Sequence, residues 1–191
     1  MKTWQRALGV ATVVLGLVGC GVAPTLPSRD SSVQQQDHFQ RAGRFALSVE
    51  KRDGARDAVQ GGFVWNQQQQ QIQLDLNNPM GTVLARLVAD DQGARLIYPN
   101  GEVEYAQSPD ALVAQLLGYE LPVSGMKDWL RGQTGPSPVE GLQLEQDQIV
   151  YFHQDNWRVR LQRYDELGPR LLQMNRNQAS QFFSVRIVVD Y

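Results

Sequence analysis

Cysteine and histidine are nearly absent from this chain: Cys20 is the lone thiol, and His38 and His153 are the two imidazoles in 191 residues. One thiol admits no internal disulfide and no cysteine-built metal centre within the chain. His38 falls near the end of a polar stretch and His153 within an expected strand. No nucleophile elbow, zinc-helix motif or phosphate-binding loop is present. The sequence therefore reads as a non-enzyme that needs neither metal nor cofactor. An excess of positive charge is also missing. The net charge is −2, and taking Lys2 and Arg6 from the 18 basic residues leaves 16 against 20 acidic ones, a charge of −4. That balance argues against a nucleic-acid partner. No internal repeat is visible, and no apolar run reaches the ~20 residues of a membrane-spanning helix.

What is present begins with a short apolar run, Ala7 to Val18, behind Lys2 and Arg6, which reads as a secretory leader over residues 1–19. Its end, Leu17-Val18-Gly19-Cys20, resembles the bacterial lipobox, in which small residues admit the peptidase and the cysteine sulfur acquires diacylglycerol. Cys20 is thus the expected lipidation site. Two or three acyl chains, at ~0.8 kcal/mol per buried methylene, make such an anchor effectively permanent. Gly21 stands where aspartate would signal inner-membrane retention, so the resemblance implies the periplasmic face of the outer membrane. Residues 20–37 are rich in Pro, Ser and Gln and read as a tether. Residues 38–191 are left as one folded domain, of a size that suits a single core.

Within that domain, apolar residues alternate with polar ones at the period of a half-buried strand. Phe45, Leu47 and Val49 form one such series, Phe63 and Trp65 a second, and Ile72, Leu74 and Leu76 a third. The run Gln67 to Gln71 between the last two is best read as a solvated hairpin end. Segments 82–89, 94–99 and 102–106 continue the meander, with Asp91-Gln92-Gly93 and Asn100-Gly101 as tight turns. Ser108-Pro109-Asp110 then supplies an N-cap, a first-turn proline and an acid. Leu112, Val113, Leu116 and Leu117 make the apolar stripe of a helix that ends at Gly118. A second short helix is expected from Ser124 to Arg131, carrying Met126, Trp129 and Leu130 and closed by Gly132. Strands resume with 142–145, 148–154, the Trp157, Val159 and Leu161 series, 170–175, and the Phe183 to Val189 series, for about eleven in all. The fold class is mainly β, antiparallel, with a short helical insertion mid-chain. So many strands curl and leave an apolar inner face. Leu112, Leu116, Met126 and Trp129 then belong either to a packed plug or to a movable lid, and periodicity alone favours the plug.

In order and spacing, Gly43-Arg44-Phe45, Gly62-Phe63-Val64-Trp65, Asn78-Pro79-Met80-Gly81, Ser108-Pro109, Leu117-Gly118, Leu121-Pro122-Val123, Trp129-Leu130-Arg131-Gly132 and Asn156-Trp157 resemble the outer-membrane lipoprotein receptor family LolB. The resemblance implies an unclosed antiparallel barrel with a helical lid. It also implies a function: triacylated lipoproteins are received from a LolA-like periplasmic carrier and inserted into the inner leaflet of the outer membrane. A one-to-one transfer of this kind suits a monomer. The acyl-chain cavity would be lined by Leu47, Trp65, Leu74, Leu112, Leu116, Met126, Trp129, Trp157, Val159 and Val185. Asn78-Pro79-Met80-Gly81 has asparagine first, proline second and glycine fourth, the chemistry of a tight turn. Met80 is then at the tip, where the family resemblance implies a leucine that places the delivered lipoprotein in the membrane. Methionine keeps that apolar character and adds flexibility.

Two further readings stand beside these. Arg158, Arg160 and Arg163 form either a basic strip for the carrier or for lipid headgroups, or an ordinary solvated face, which the pattern favours. The same cup could also serve a lipid-anchored sensor or store for a small amphiphile, and alternation alone does not separate it from a receptor.

Overall fold

The computed structural model describes residues 38–191; the leader of 1–19, Cys20 and the tether of 20–37 lie outside the described residues. Eleven strands form one antiparallel sheet: β1 His38–Lys51, β2 Arg56–Gln68, β3 Gln71–Asn77, β4 Val83–Asp90, β5 Gly93–Ile97, β6 Val103–Ala106, β7 Glu140–Glu145, β8 Gln148–Gln154, β9 Trp157–Asp165, β10 Gly168–Gln178 and β11 Gln181–Val189. Their order is β6-β5-β4-β3-β2-β1-β11-β10-β9-β8-β7. The chain's first and last strands therefore pair at the centre, from Gly43 with Val189 to Lys51 with Gln181. β6 and β7 are left as edges that do not meet, so the barrel is unclosed, as the family resemblance implied. Two helices, α1 Pro109–Leu117 and α2 Val123–Trp129, are inserted between those two edge strands.

Alternation makes the sheet two-faced. Along β1, Phe39, Phe45, Leu47 and Val49 are buried while Gln40, Arg44, Ala46 and Glu50 are exposed. Along β9, Trp157, Val159 and Leu161 are buried while Arg158, Arg160 and Gln162 are exposed. A glycine is required where β1 crosses β11, because a Cβ on Gly43 would lie 2.0 Å from the Val188 carbonyl oxygen. Such close backbone approach is what lets a long sheet bend.

The helix boundaries follow from local chemistry. Ser108 Oγ accepts from the Ala111 amide at 3.3 Å, Pro109 occupies the first turn, and Gly118, at φ 77°, ends α1. The second helix runs one residue earlier and ends earlier than its pattern suggests, because Pro122 fixes its start and Arg131 and Gly132 form a closing turn instead of a further helical turn. The glutamine run is the β2–β3 hairpin end, although Gln67 within it is buried.

Candidate functional site

α1 and α2 lie over the concave face of the sheet. Leu112 and Val113 are the buried residues of α1; Val123, Met126 and Trp129 are those of α2. Between these helices and the strands is a cavity of about 30 Å³, lined by Phe45, Phe63, Trp65, Leu74, Leu76, Val113, Leu121, Val123, Met126, Leu130, Val185 and Ile187. Every lining residue is apolar. The volume is close to what one water molecule occupies in the liquid, but the walls offer no set of polar partners to hold one. The indole Nε1 of Trp65 is buried and has no hydrogen-bond partner among the described residues.

Of the ten residues assigned to the cavity from sequence, Trp65, Leu74, Met126 and Val185 line it. Leu47, Leu112, Trp129, Trp157 and Val159 are buried in the surrounding core, and Leu116 packs against that core while partly exposed. Phe45, Phe63, Leu76 and Ile187 were legible as lining candidates from the same alternation. Val113, Leu121, Val123 and Leu130 were not, since the way the helices and the segments beside them cross the sheet decides which of their residues face the hollow.

The helical insertion is held differently after α2 and at the linker between its helices. After α2, the connection is fixed by buried groups. Trp129 Nε1 donates to Gln154 Oε1 at 2.9 Å, and the same oxygen accepts from the Gly135 amide at 3.0 Å. Gln154 Nε2 donates to the Gly135 and Ser137 carbonyls at 2.9 and 2.7 Å, and Trp129 meets Phe152 edge-on. Gln154 carries no sequence signal for this role, being one of many glutamines.

The α1–α2 linker, in contrast, buries Leu121 and has two polar ties, through Tyr119 and Glu120. The Tyr119 hydroxyl donates to Asp57, which also pairs with Lys51 at 2.9 Å. These partners hold the Asp57 carboxyl below its usual range, mainly through the tyrosine hydrogen bond, and the hydrogen bonds to Asp57 in turn raise both the Tyr119 and Lys51 values. Arg176 Nη2 donates to Glu120 at 3.1 Å. Asp110 on α1 accepts from the Ser124 amide at 2.8 Å, and burial raises its pKa. Lys127 Nζ reaches Gln70 Oε1 at 3.3 Å, joining α2 to the β2–β3 hairpin.

Met80 occupies the β3–β4 turn. Gly81 N donates to the Asn78 carbonyl at 2.9 Å, and the Asn78 side chain accepts from the amides of Met80 and Thr82 at 2.9 and 3.0 Å. The loop is thus rigidly built around asparagine while its methionine is 94% exposed. Val83 and Leu84 directly after it are exposed too, extending the apolar tip. Strand direction places this turn at the same end of the sheet as the β8–β9 and β10–β11 turns. Arg158 and Arg160 share the exposed face of β9, and Arg163, with φ 58°, is exposed where that strand is irregular. His38 is exposed at the start of β1, and His153 lies 3.6 Å from Glu140. Among the described residues there is no cluster of three or more metal-ligating side chains and no helix long and apolar enough to cross a membrane.

Residues 37–191 match the family model described as "Outer membrane lipoprotein LolB". Curated relatives bear the name "Outer-membrane lipoprotein LolB". One from Bordetella petrii is 41% identical over 91% of this chain and 86% of its own length. Another from Cupriavidus taiwanensis is 34% identical over 97% of each chain, and one from Cupriavidus metallidurans is 31% identical over all of this chain and 97% of its own.

Proposed function

The chain belongs to the LolB family of outer-membrane lipoproteins, and on that premise we propose that it accepts lipoproteins from a LolA-like periplasmic carrier and inserts them into the inner leaflet of the outer membrane. The observation that carries this reading is the wholly apolar hollow between the helices and the concave sheet. A palmitoyl-sized chain exposed to water costs on the order of 12 kcal/mol at ~0.8 kcal/mol per methylene. Passage from one apolar enclosure to another, and then to a bilayer, avoids that cost and needs no nucleotide hydrolysis.

A hollow of about 30 Å³ is far smaller than such a chain, so the described conformation is the closed one. Opening requires the helices to move. Exposed ion pairs contribute about 0–1 kcal/mol each, whereas hydrogen bonds to buried groups cost about 1–3 kcal/mol each to leave unmade. The linker of residues 118–122, with two polar ties against four at Gln154, therefore lifts first; this withdraws Leu121 from the hollow and leaves Arg176 without Glu120, while the Trp129–Gln154 junction stays fixed. Cys20, once lipidated, holds the protein on the periplasmic face of the outer membrane, and Met80 with Val83 and Leu84 reaches into the leaflet during delivery. One protomer suffices for each transfer.

The test loads purified carrier with a lipoprotein and mixes it with the Cys20→Ala form of this chain. Cargo moving to the Cys20→Ala protein is expected. Carrier that keeps its cargo, while this chain binds a small amphiphile, would replace the receptor reading with that of a sensor or store.

A further inference from the structure

Arg176 is an unusual presence on the inner face of β10, where Leu172 and Met174 precede it at the same alternation and are buried. Its guanidinium lies between two rings, with its carbon 4.6 Å from the Trp157 centroid and 4.8 Å from that of Phe183. The side chain is only 11% exposed. Its Nε is buried and has no hydrogen-bond partner among the described residues, and its ion-pair partner is Glu120. The Glu120 side chain is 60% exposed and belongs to the α1–α2 linker.

On one side of Arg176 is the apolar interior. Leu121, next to Glu120, lines the hollow, as does Val185, which follows Phe183 on the same face of β11. On the other side is a cleft of about 520 Å³ lined by Glu120, His153, Asn156, Arg158, Arg176, Asn177 and Gln178, all polar. The guanidinium thus stands at the boundary between a greasy enclosure and a polar one, with donors unused.

We propose that Arg176 binds the ester carbonyl oxygens that join the cargo's acyl chains to their glyceryl-cysteine head, and that Glu120 occupies this position in the closed state. This rests on the acceptance reading above. Lifting the linker removes Glu120, but the stacked rings keep Arg176 in place. A largely buried guanidinium left without acceptors is unfavourable. The first polar atoms met after an acyl chain are carbonyl oxygens, which accept and do not donate. Arginine's planar fork can serve two of them at once. The head and first residues of the cargo then lie in the polar cleft.

The Cys20→Ala chain is titrated with a dipalmitoyl diester glyceryl-cysteine peptide and with its diether analogue, which has the same chains but no ester carbonyls. Wild type at Arg176 is expected to bind the diester on the order of tenfold more tightly, the size of a hydrogen bond to a charged donor. Arg176→Met is expected to bind both equally, Arg176→Lys to keep part of the preference, and Glu120→Gln to tighten diester binding a few-fold. Equal affinity of the Cys20→Ala chain with Arg176 intact for diester and diether would overturn the role of Arg176 and leave acceptance standing. Binding of neither would overturn acceptance itself. The comparison of the two ligands on the chain with Arg176 intact does not depend on any substitution within residues 38–191.

Discussion

At the scale of single residues, Met80 and Arg41 each sit on the side opposite to what their polarity would choose. Met80 is a large apolar group held in water by a turn that Asn78 builds around it. Inserting such a side chain into hydrocarbon gains about 1.5–3 kcal/mol, which an acidic substitution forfeits. Met80→Glu is expected to accept cargo from the carrier at the normal rate and to release it into liposomes at least tenfold more slowly; equal release would remove the tip from the delivery step. Arg41 is the converse, a guanidinium with 0% exposure on the inner face of β1. It forms two 2.8 Å bonds with Asp165, a residue that also accepts from the Leu167 and Gly168 amides in the β9–β10 turn. The Arg41 hydrogen bonds hold the Asp165 carboxyl below its ordinary value. Because the folded value is depressed, this pair stabilises the fold above about pH 4, and the contribution is lost as pH falls through the lower folded value. Asp165→Asn leaves one acceptor oxygen but removes the charge opposite a buried arginine; with the Asp165 side chain 34% exposed, it is expected to cost about 1–2 kcal/mol at neutral pH, and to flatten the acid limb of thermal melts recorded from pH 7 to pH 2.

At the scale of elements, the helical insertion is asymmetric. Gln154 on β8 satisfies the Trp129 indole, one amide and two carbonyls beyond α2. Gln154→Ala leaves these groups without their partner and is expected to cost about 2–3 kcal/mol. Hydrogen exchange should rise across residues 129–137 and not in β1 or β11; a uniform rise would mean that the junction is not a separate unit. The linker behaves otherwise, since it has only the two polar ties through Tyr119 and Glu120. Tyr119→Phe combined with Glu120→Gln should lower the melting temperature less than Gln154→Ala does while speeding cargo uptake. Unchanged uptake would place the moving part elsewhere. The edge strand β7 is wholly exposed, with Leu142 and Leu144 unsheltered. Its flanking Glu140 and Glu145, and the irregular register with β8, make it a poor template for a further strand.

At the scale of the whole molecule, an eleven-stranded sheet with two unpaired edges has too few internal side chains to fill itself, and the two helices complete the core. The structure described is a nearly full core, so entry of an acyl chain must follow an opening step. Uptake measured by tryptophan fluorescence, with Trp65, Trp129 and Trp157 as reporters, should reach a plateau rate as cargo concentration rises. A rate that climbs linearly without limit would mean that the hollow admits cargo without rearrangement.

The sequence by itself determined the strand count, both helices and the turn at Met80, because strand alternation, capping residues and asparagine–proline turn chemistry act over a few neighbours. Those same local patterns marked an inner face, from which lining candidates could be taken. Only the tertiary structure decided which inner-facing residues border the hollow and which pack behind it. Leu47 and Phe45 share a strand face, yet Phe45 reaches the cavity and Leu47 lies in the core. The pairing of Arg41 with Asp165, the Gln154 junction and the placing of Arg176 beside Glu120 were likewise beyond sequence reasoning. Each joins residues between 17 and 124 positions apart. Such contacts depend on how the curled sheet and the crossing helices bring distant side chains to one point, and no local periodicity records that.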